Sequence, residues 1–458
     1  MEKLNETGRI TWVARTRQSS RDPVKTAFFW LALFYFVYCA RPEDWIPGLK
    51  YLPLAKVTAL GAILSLALCA GTTTRRIRDL PREGCYLVAL VCFLILTSVL
   101  SPVWKGGALF RSLDFAKVAV VWVLTFLLVT NFERLRRILF IQAGSVAMMA
   151  LVSVIKGHNR PRLQGVVGGI YDNSNDLAFA LVISLPFCFA FLLQERNLLR
   201  KLAWGVCSTV MLVALFLTAS RSGFIDLVVA GSVCLWHFGV KGRRPHVLVA
   251  SVIIGSLISA TAGGLLERRF LAITGEVNSA VEQGALGSYN ERKMLMVKSV
   301  EALTHYPLFG IGVRNFTSYS GIWKEVHNSY LQMAAEGGIP AIVLYLLFFG
   351  RGFTNLRLLQ KRKDLDPKIV LFVGALHSSL VGFAVGAMFS PEAYHYFPYF
   401  AVAETSATLA FVKEKGNVIE PMNSALRRWS NWQVWLSGLE HRHARVSPLE
   451  EVLHEDSR

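Results

Sequence analysis

Residues 176–193 read DLAFALVISLPFCFAFLL. After Asp176, seventeen residues pass without a charge. As a helix rising ~1.5 Å per residue they span roughly 26 Å, close to the hydrocarbon core of a bilayer. Lipid offers backbone amides and carbonyls no partner, so such a stretch satisfies its own hydrogen bonds as a helix rather than as an open strand. Eleven more blocks of this character lie near 26–40, 54–71, 84–101, 113–130, 137–155, 202–219, 222–239, 246–264, 339–356, 367–390 and 396–412. The 458 residues are 53% hydrophobic and 17% charged, too apolar in blocks for a soluble domain of this length. The expected fold is all-α, a polytopic integral membrane protein of about 12 transmembrane helices. The first 25 residues are basic and polar and run into a segment without a small-residue cleavage site, so no cleavable signal peptide is expected.

Charge sets the orientation, because cytoplasmic loops collect Lys and Arg. With the N-terminus inside, the inner segments 1–25, 75–82, 131–138, 194–201, 240–246, 351–368 and 413–458 hold 32 of the 49 basic residues. The net charge of +18 is then a topology signal and points away from nucleic acid as a partner. The organisation read from this is a cytoplasmic tail over 1–25, one integral domain over 26–412, and a cytoplasmic tail over 413–458. In that last tail Trp429, Trp432 and Trp435 follow Arg427 and Arg428, a pattern suited to an interfacial helix. The two long connections, 156–175 and 265–338, both face outward, so the active surface is expected there. Cys39, Cys69, Cys85, Cys92, Cys188, Cys207 and Cys234 fall in or beside apolar segments without metal-ligand spacing, and read as small buried hydrophobes.

Inside 265–338, Ser288-Tyr-Asn-Glu291 has capping-box spacing, Met296, Val300 and Leu303 follow at helical intervals, and Pro307 ends the run. A helix opening there and lying on the membrane surface is expected, with Arg292 in its first turns. Thr218-Ala-Ser-Arg-Ser-Gly223 leaves almost no loop between two apolar blocks. Arg221 therefore sits in a tight outward turn, as a snorkelling anchor or as a ligand placed against the positive-inside trend. Arg292 is a headgroup contact or a ligand. Gly310-Ile-Gly-Val-Arg-Asn315 is a turn, or a backbone cradle for an anion. A nine-residue gap separates His327-Asn328 from Gly338-Ile-Pro340 and the next apolar block. His327 is a structural interfacial residue, or a base titrating near neutral pH with an ordinary pKa of ~6.5.

In chain order these motifs resemble the signature of the O-antigen ligase and O-antigen polymerase superfamily. His327-Asn328, the gap, and the Gly that opens a membrane helix carry the likeness. His305-Tyr-Pro307-Leu-Phe-Gly310-Ile-Gly312 is similar to the family's Pro-x-x-Gly-x-Gly element. Ser220-Arg221-Ser-Gly223 resembles its Ser-Arg-Gly turn, and Arg292 resembles the arginine of the helix upstream of the Pro-Gly element. Arg162-Leu-Gln-Gly165, with Asn173 to Asp176, resembles its Arg-Gly and Asn elements. The likeness covers roughly 160–345. It implies a GT-C-like, metal-independent, inverting glycosyltransferase, multi-pass in the bacterial inner membrane with its active site facing the periplasm. Such an enzyme moves a glycan from undecaprenyl diphosphate to an acceptor hydroxyl. The implied partners are that donor, an acceptor glycolipid or other glycan, and the bilayer; no cofactor is implied. His327, Arg221 and Arg292 are the implied catalytic residues, and Arg162, Asn175, Arg314 and Asn328 the implied substrate binders. No metal is expected, the outer face showing no Asp-x-Asp pair.

Two other readings stand beside the ligase. A polysaccharide polymerase shares the donor and takes a second lipid-linked repeat as acceptor. A transporter of lipid-linked glycan needs ionisable residues near mid-bilayer. His377 and Glu404 are the mid-segment candidates, and they could simply pair with each other. On this topology, a reporter fused after residue 413 should behave as cytoplasmic; periplasmic labelling there would overturn the assignment.

Overall fold

The computed structural model describes residues 24–69, 73, 75–157, 162–165, 170–262 and 280–415. Residues 1–23, 263–279 and 416–458, with the tryptophans of the C-terminal tail, lie outside the described residues. Each of the twelve expected stretches is helical over most of its described residues, and no strand occurs among the described residues. In chain order they are α1 Lys25–Ala40, α2 Leu54–Leu68, α3 Arg82–Val99, α4 Lys105–Leu128, α5 Phe132–Gly157, α6 Ser174–Gln194, α7 Leu198–Leu217, α8 Arg221–Leu235 and α9 Pro245–Ala262. They continue, after α10 Ala280–His305 in the long connection, with α11 Ser329–Lys361, α12 Pro367–Gly386 and α13 over 396–415. Seven are long and apolar enough to cross a membrane: α3, α5, α6, α7, α8 with its π-helical continuation Trp236–Val240, α11 and α12. Helices α1, α2 and the start of α9 are apolar but shorter. Helix α4 is long but carries four charged residues, Lys105, Arg111, Asp114 and Lys117. The protein is an all-α, polytopic membrane protein.

Burial ranks the helices. In α6, 78% of the membrane-length window is buried, against 28% in α7. Helix α6 is therefore the hub, packed on α5, α7, α8 and α12. Helix α7 turns Leu199, Leu202 and Val206 outward, as a lipid-facing helix does. Polar ties close the end of the bundle away from α6's start. Buried Glu83 of α3 accepts from Asn355 Nδ2 of α11 at 2.6 Å and Ser406 Oγ of α13 at 2.7 Å. Arg75 spans Glu414 and the carbonyls of Phe126 and Val129. His377 does not pair with Glu404: its Nδ1 lies 2.8 Å from His237 Nε2, which the π-helical end of α8 brings alongside α12. Cys39, Cys188 and Cys234 are buried as expected, but Cys85 and Cys92 are exposed on α3.

Helix α11 departs from the sequence reading. It was expected to open near Gly338, yet its turns begin at Ser329, and Gly338 is a break inside it at φ 76°, ψ −176°. Pro340 has no N–H to give the Glu336 carbonyl, and that carbonyl accepts from Gly312 N at 2.9 Å. Ala335 O accepts from Ile311 N at 3.0 Å, while Ile339 N donates to Pro307 O at 2.7 Å. The segment 307–312 thus stands in for the missing helical bonds. Gly310 and Gly312, read as a turn or as an anion cradle, are spent on this clasp. A Cβ on Gly310 would lie 2.5 Å from the Glu336 carbonyl, and one on Gly338 would lie 2.5 Å from Leu308 O.

Helix α10 also differs. It starts by Ala280, so Ser288 lies inside it and does not cap it; no Pro interrupts the run from Ala280 to Ser288, and the helix carries Gly284 and Gly287 within it. Its buried stripe is Leu295, Ser299 and Ala302, packed on Ile311, Phe316, Val326 and Ala335. Of the apolar residues read at helical intervals, Met296 and Val300 point outward and Leu303 is half-buried.

Gly338→Ala combines a positive φ with a backbone clash and should destabilise the protein by about 2–3 kcal/mol. Gly350→Ala, in the same helix with open space around its Cβ, should be neutral or slightly stabilising. Thermal melts of the two purified variants check this.

Candidate functional site

The site grows from helix ends. Helix α7 stops at Leu217 and α8 starts at Arg221, with Ala219 at φ 47° in the turn. The last carbonyls of α7 need donors. Leu163 N reaches Leu217 O at 2.9 Å, and Arg162 Nε reaches Thr218 O at 3.0 Å. Ser220 caps α8, its hydroxyl accepting from Gly223 N at 3.2 Å. Asn173 caps α6 by accepting from Asn175 N at 3.0 Å. The Asn175 side chain then closes the network: its Oδ1 accepts from Ser220 Oγ at 2.7 Å and Arg162 Nη2 at 3.3 Å. Gly223 allows α8 to approach α6, since a Cβ there would meet Ala178 Cβ at 2.6 Å. These contacts put Arg221 in the first turn of α8, half-buried.

Helix α10 supplies the opposite wall. Ser288, Glu291 and Arg292 continue its buried stripe toward its N-terminal side, so the face that enters the core at Leu295 faces the site one turn earlier. Lys324 Nζ lies 2.6 Å from Glu291 Oε2 and ties the 321–328 loop to that helix. Asn328 ends the loop as the cap of α11, accepting from the amides of Tyr330 and Leu331, both at 3.0 Å. Ser329 holds the 387–392 segment: its Oγ donates to Ser390 O at 2.7 Å and accepts from Glu392 N at 2.8 Å.

Between these elements lies a polar cavity of about 420 Å³. It is lined by Arg162, Asn175 and Arg221, by Arg292 and His327, and by Asn173, Asp176, Ser288, Glu291, Lys324, Glu325 and Pro391. Five residues singled out in the sequence thus share one cavity. Two do not line it. Asn328 uses its side-chain oxygen as the helix cap. Arg314 is exposed at φ 54°, its Cζ 5.7 Å from the centre of the Tyr394 ring. Lys324 and Glu325 were missed although both stand within three residues of His327; their charge beside the histidine was the available signal. Pro391 gave none, because tertiary contacts alone bring it in.

The electrostatics favour an anion. Four Arg and Lys side chains face three carboxylates in the lining, and the N-terminal ends of α6, α8 and α11 converge there with their positive dipole ends. The His327 Nδ1 is buried without a hydrogen-bond partner. Burial, reinforced by the Arg292 charge against the weaker pull of Glu291, pushes its pKa down to about 4, well below the ordinary value expected from sequence. His327 is therefore neutral at pH 7. Behind Pro391, buried Glu392 lies 2.8 Å from His395 Nδ1. Burial pulls that imidazole down, but the Glu392 carboxylate overrides it and holds its pKa at about 9, so the imidazole is protonated at pH 7.

No curated protein matches the chain. Residues 206–346, which hold the Arg221 turn, Arg292, the 307–312 clasp and His327, match the family model described as O-antigen ligase. Over that stretch the chain is similar to the O-antigen ligase family, in line with the likeness its motifs carry.

Proposed function

We propose that this cavity is the active site of a glycosyltransferase that moves a glycan from undecaprenyl diphosphate to an acceptor hydroxyl at the outer face of the inner membrane. The observation that carries the reading is one cavity holding Arg162, Arg221, Arg292, Lys324 and His327, gathered from four separated segments, most of them inside the matched domain. Cleavage of the anomeric carbon–oxygen bond leaves negative charge on the departing diphosphate. Guanidinium groups meet that charge with fixed, forked donors. Arg221 and Arg292 stabilise the leaving group. Arg162, already committed to Thr218 and Asn175, positions the turn and contributes its charge to donor binding. Neutral His327 takes the proton of the attacking hydroxyl, and a single displacement inverts the sugar carbon. The acceptor decides between ligase and polymerase, and the mass of the product from one labelled lipid-linked donor separates them.

Arg221→Lys keeps the charge and loses the fork; it should lower transfer by about 10–100-fold with donor and acceptor in excess. Free substitution by lysine would refute the bidentate role.

His327→Ala should leave folding and donor binding nearly intact and lower transfer by roughly 10²–10⁴-fold. The neutral imidazole is the active form, so activity is retained above its pKa and lost below it. The acid limb of kcat/KM, which reports the free enzyme, should fall near pH 4 rather than near 6.5. A bound diphosphate neutralises Arg292, so the acid limb of kcat should stand higher. A kcat/KM limb near 6.5, or wild-type transfer by His327→Ala, would remove the histidine from the mechanism.

A further inference from the structure

At the end of the bundle away from the cavity, where α13 meets Arg75, a second groove of about 780 Å³ opens between α2, α3 and α4. Its walls are apolar: Leu66 of α2, Val88 of α3, and Val120, Val123 and Leu127 of α4. From Val120 to Leu127 the wall runs about two helical turns, roughly 10 Å along the bilayer normal. Its mouth is cationic. Arg75 is consumed by Glu414 and the Phe126 and Val129 carbonyls, but Arg76 and Arg78 also line the groove and both are exposed.

We propose that this groove binds an anionic diacyl phospholipid, with an acyl chain lying along α4 and the phosphodiester held by Arg76 and Arg78. Apolar walls of this depth exclude a soluble phosphate ion, and a zwitterionic headgroup gains little from two guanidinium groups. By the distribution of Lys and Arg this end faces the cytoplasm, where the leaflet carries anionic lipid and each juxtamembrane Arg adds roughly 5-fold in affinity. Arg75 couples the site to the fold, because the residue beside Arg76 pins the ends of α4 and α13. None of these residues belongs to the cavity of the proposed reaction, so the inference stands or falls apart from it.

The test uses the full-length protein in detergent, titrated with phosphatidylglycerol or with phosphatidylcholine of the same chains and read by native mass spectrometry. One phosphatidylglycerol should bind in preference to phosphatidylcholine. Arg76→Gln with Arg78→Gln should weaken phosphatidylglycerol binding roughly 30-fold and leave phosphatidylcholine unchanged. Val120→Phe, which fills the groove from an exposed position, should weaken both. Equal binding of the two lipids, phosphatidylglycerol binding that survives the double substitution or Val120→Phe, or no stoichiometric lipid because the chain's own residues cover the groove, would each overturn the proposal.

Discussion

The break at Gly338 is the constraint on which the cavity end of the molecule depends. A membrane helix cannot leave carbonyls unpaired, and Pro340 deprives Glu336 of its partner. Segment 307–312 repairs the break with three backbone bonds. A repair made by a distant segment also fixes where that segment lies. Pro307 follows directly on α10, so the clasp docks the C-terminal end of α10 against α11, and Arg292 comes to stand across from Arg221. The clasp is anchored in turn: Asn315 Nδ2 donates to Ser101 Oγ at 2.9 Å, and Ser101 Oγ donates to Ile311 O at 2.6 Å. One hydrogen-bond deficit inside a helix therefore helps to hold in place the helix that lines one wall of the cavity.

Much of the fold was legible because lipid enforces one rule on every apolar block. Helices α6 and α8 stand close to where hydropathy puts them, and the cavity gathers five residues chosen from weak motifs. The misreadings have a common physical origin. Gly310, Gly312 and Gly338 permit backbone contact, and sequence shows that a glycine is needed without showing what approaches it. The partner here is another strand of chain rather than an anion. Asn328 has donor and acceptor groups suited to a sugar, but an Asn two residues before a helical amide is equally suited to capping it, and capping won. On α10 the apolar spacing did not reveal the face packed on the core, because Ser299 and Ala302, both small, are buried while Met296 and Val300, both larger and more apolar, are exposed. Hydrophobicity predicts burial only where the surroundings are water.

The same inversion explains the histidines. His377 and His237 meet at 2.8 Å because α8 winds into a π-turn that sequence does not announce. His395 and His327 show how environment, not residue type, sets protonation: one faces a buried carboxylate and stays charged, the other is kept neutral by burial, reinforced by an arginine.

That last contrast bears on how the proposed reaction would be ordered. An imidazole beside Arg292 is available as an acceptor at any physiological pH, but its low pKa makes it a weak base in the empty cavity. A bound diphosphate changes the balance, since its charge offsets Arg292 and raises the basicity of His327 just when a donor is present. The arginine that holds the donor would then also gate the base: water entering an empty site meets a poor proton acceptor, and an acceptor hydroxyl arriving after the donor meets a better one. In the proposed reaction, Coulomb coupling between Arg292 and His327 would add to the effect of burial and favour transfer over idle chemistry without any moving part, because the histidine loop is tied to the helix that carries Arg292.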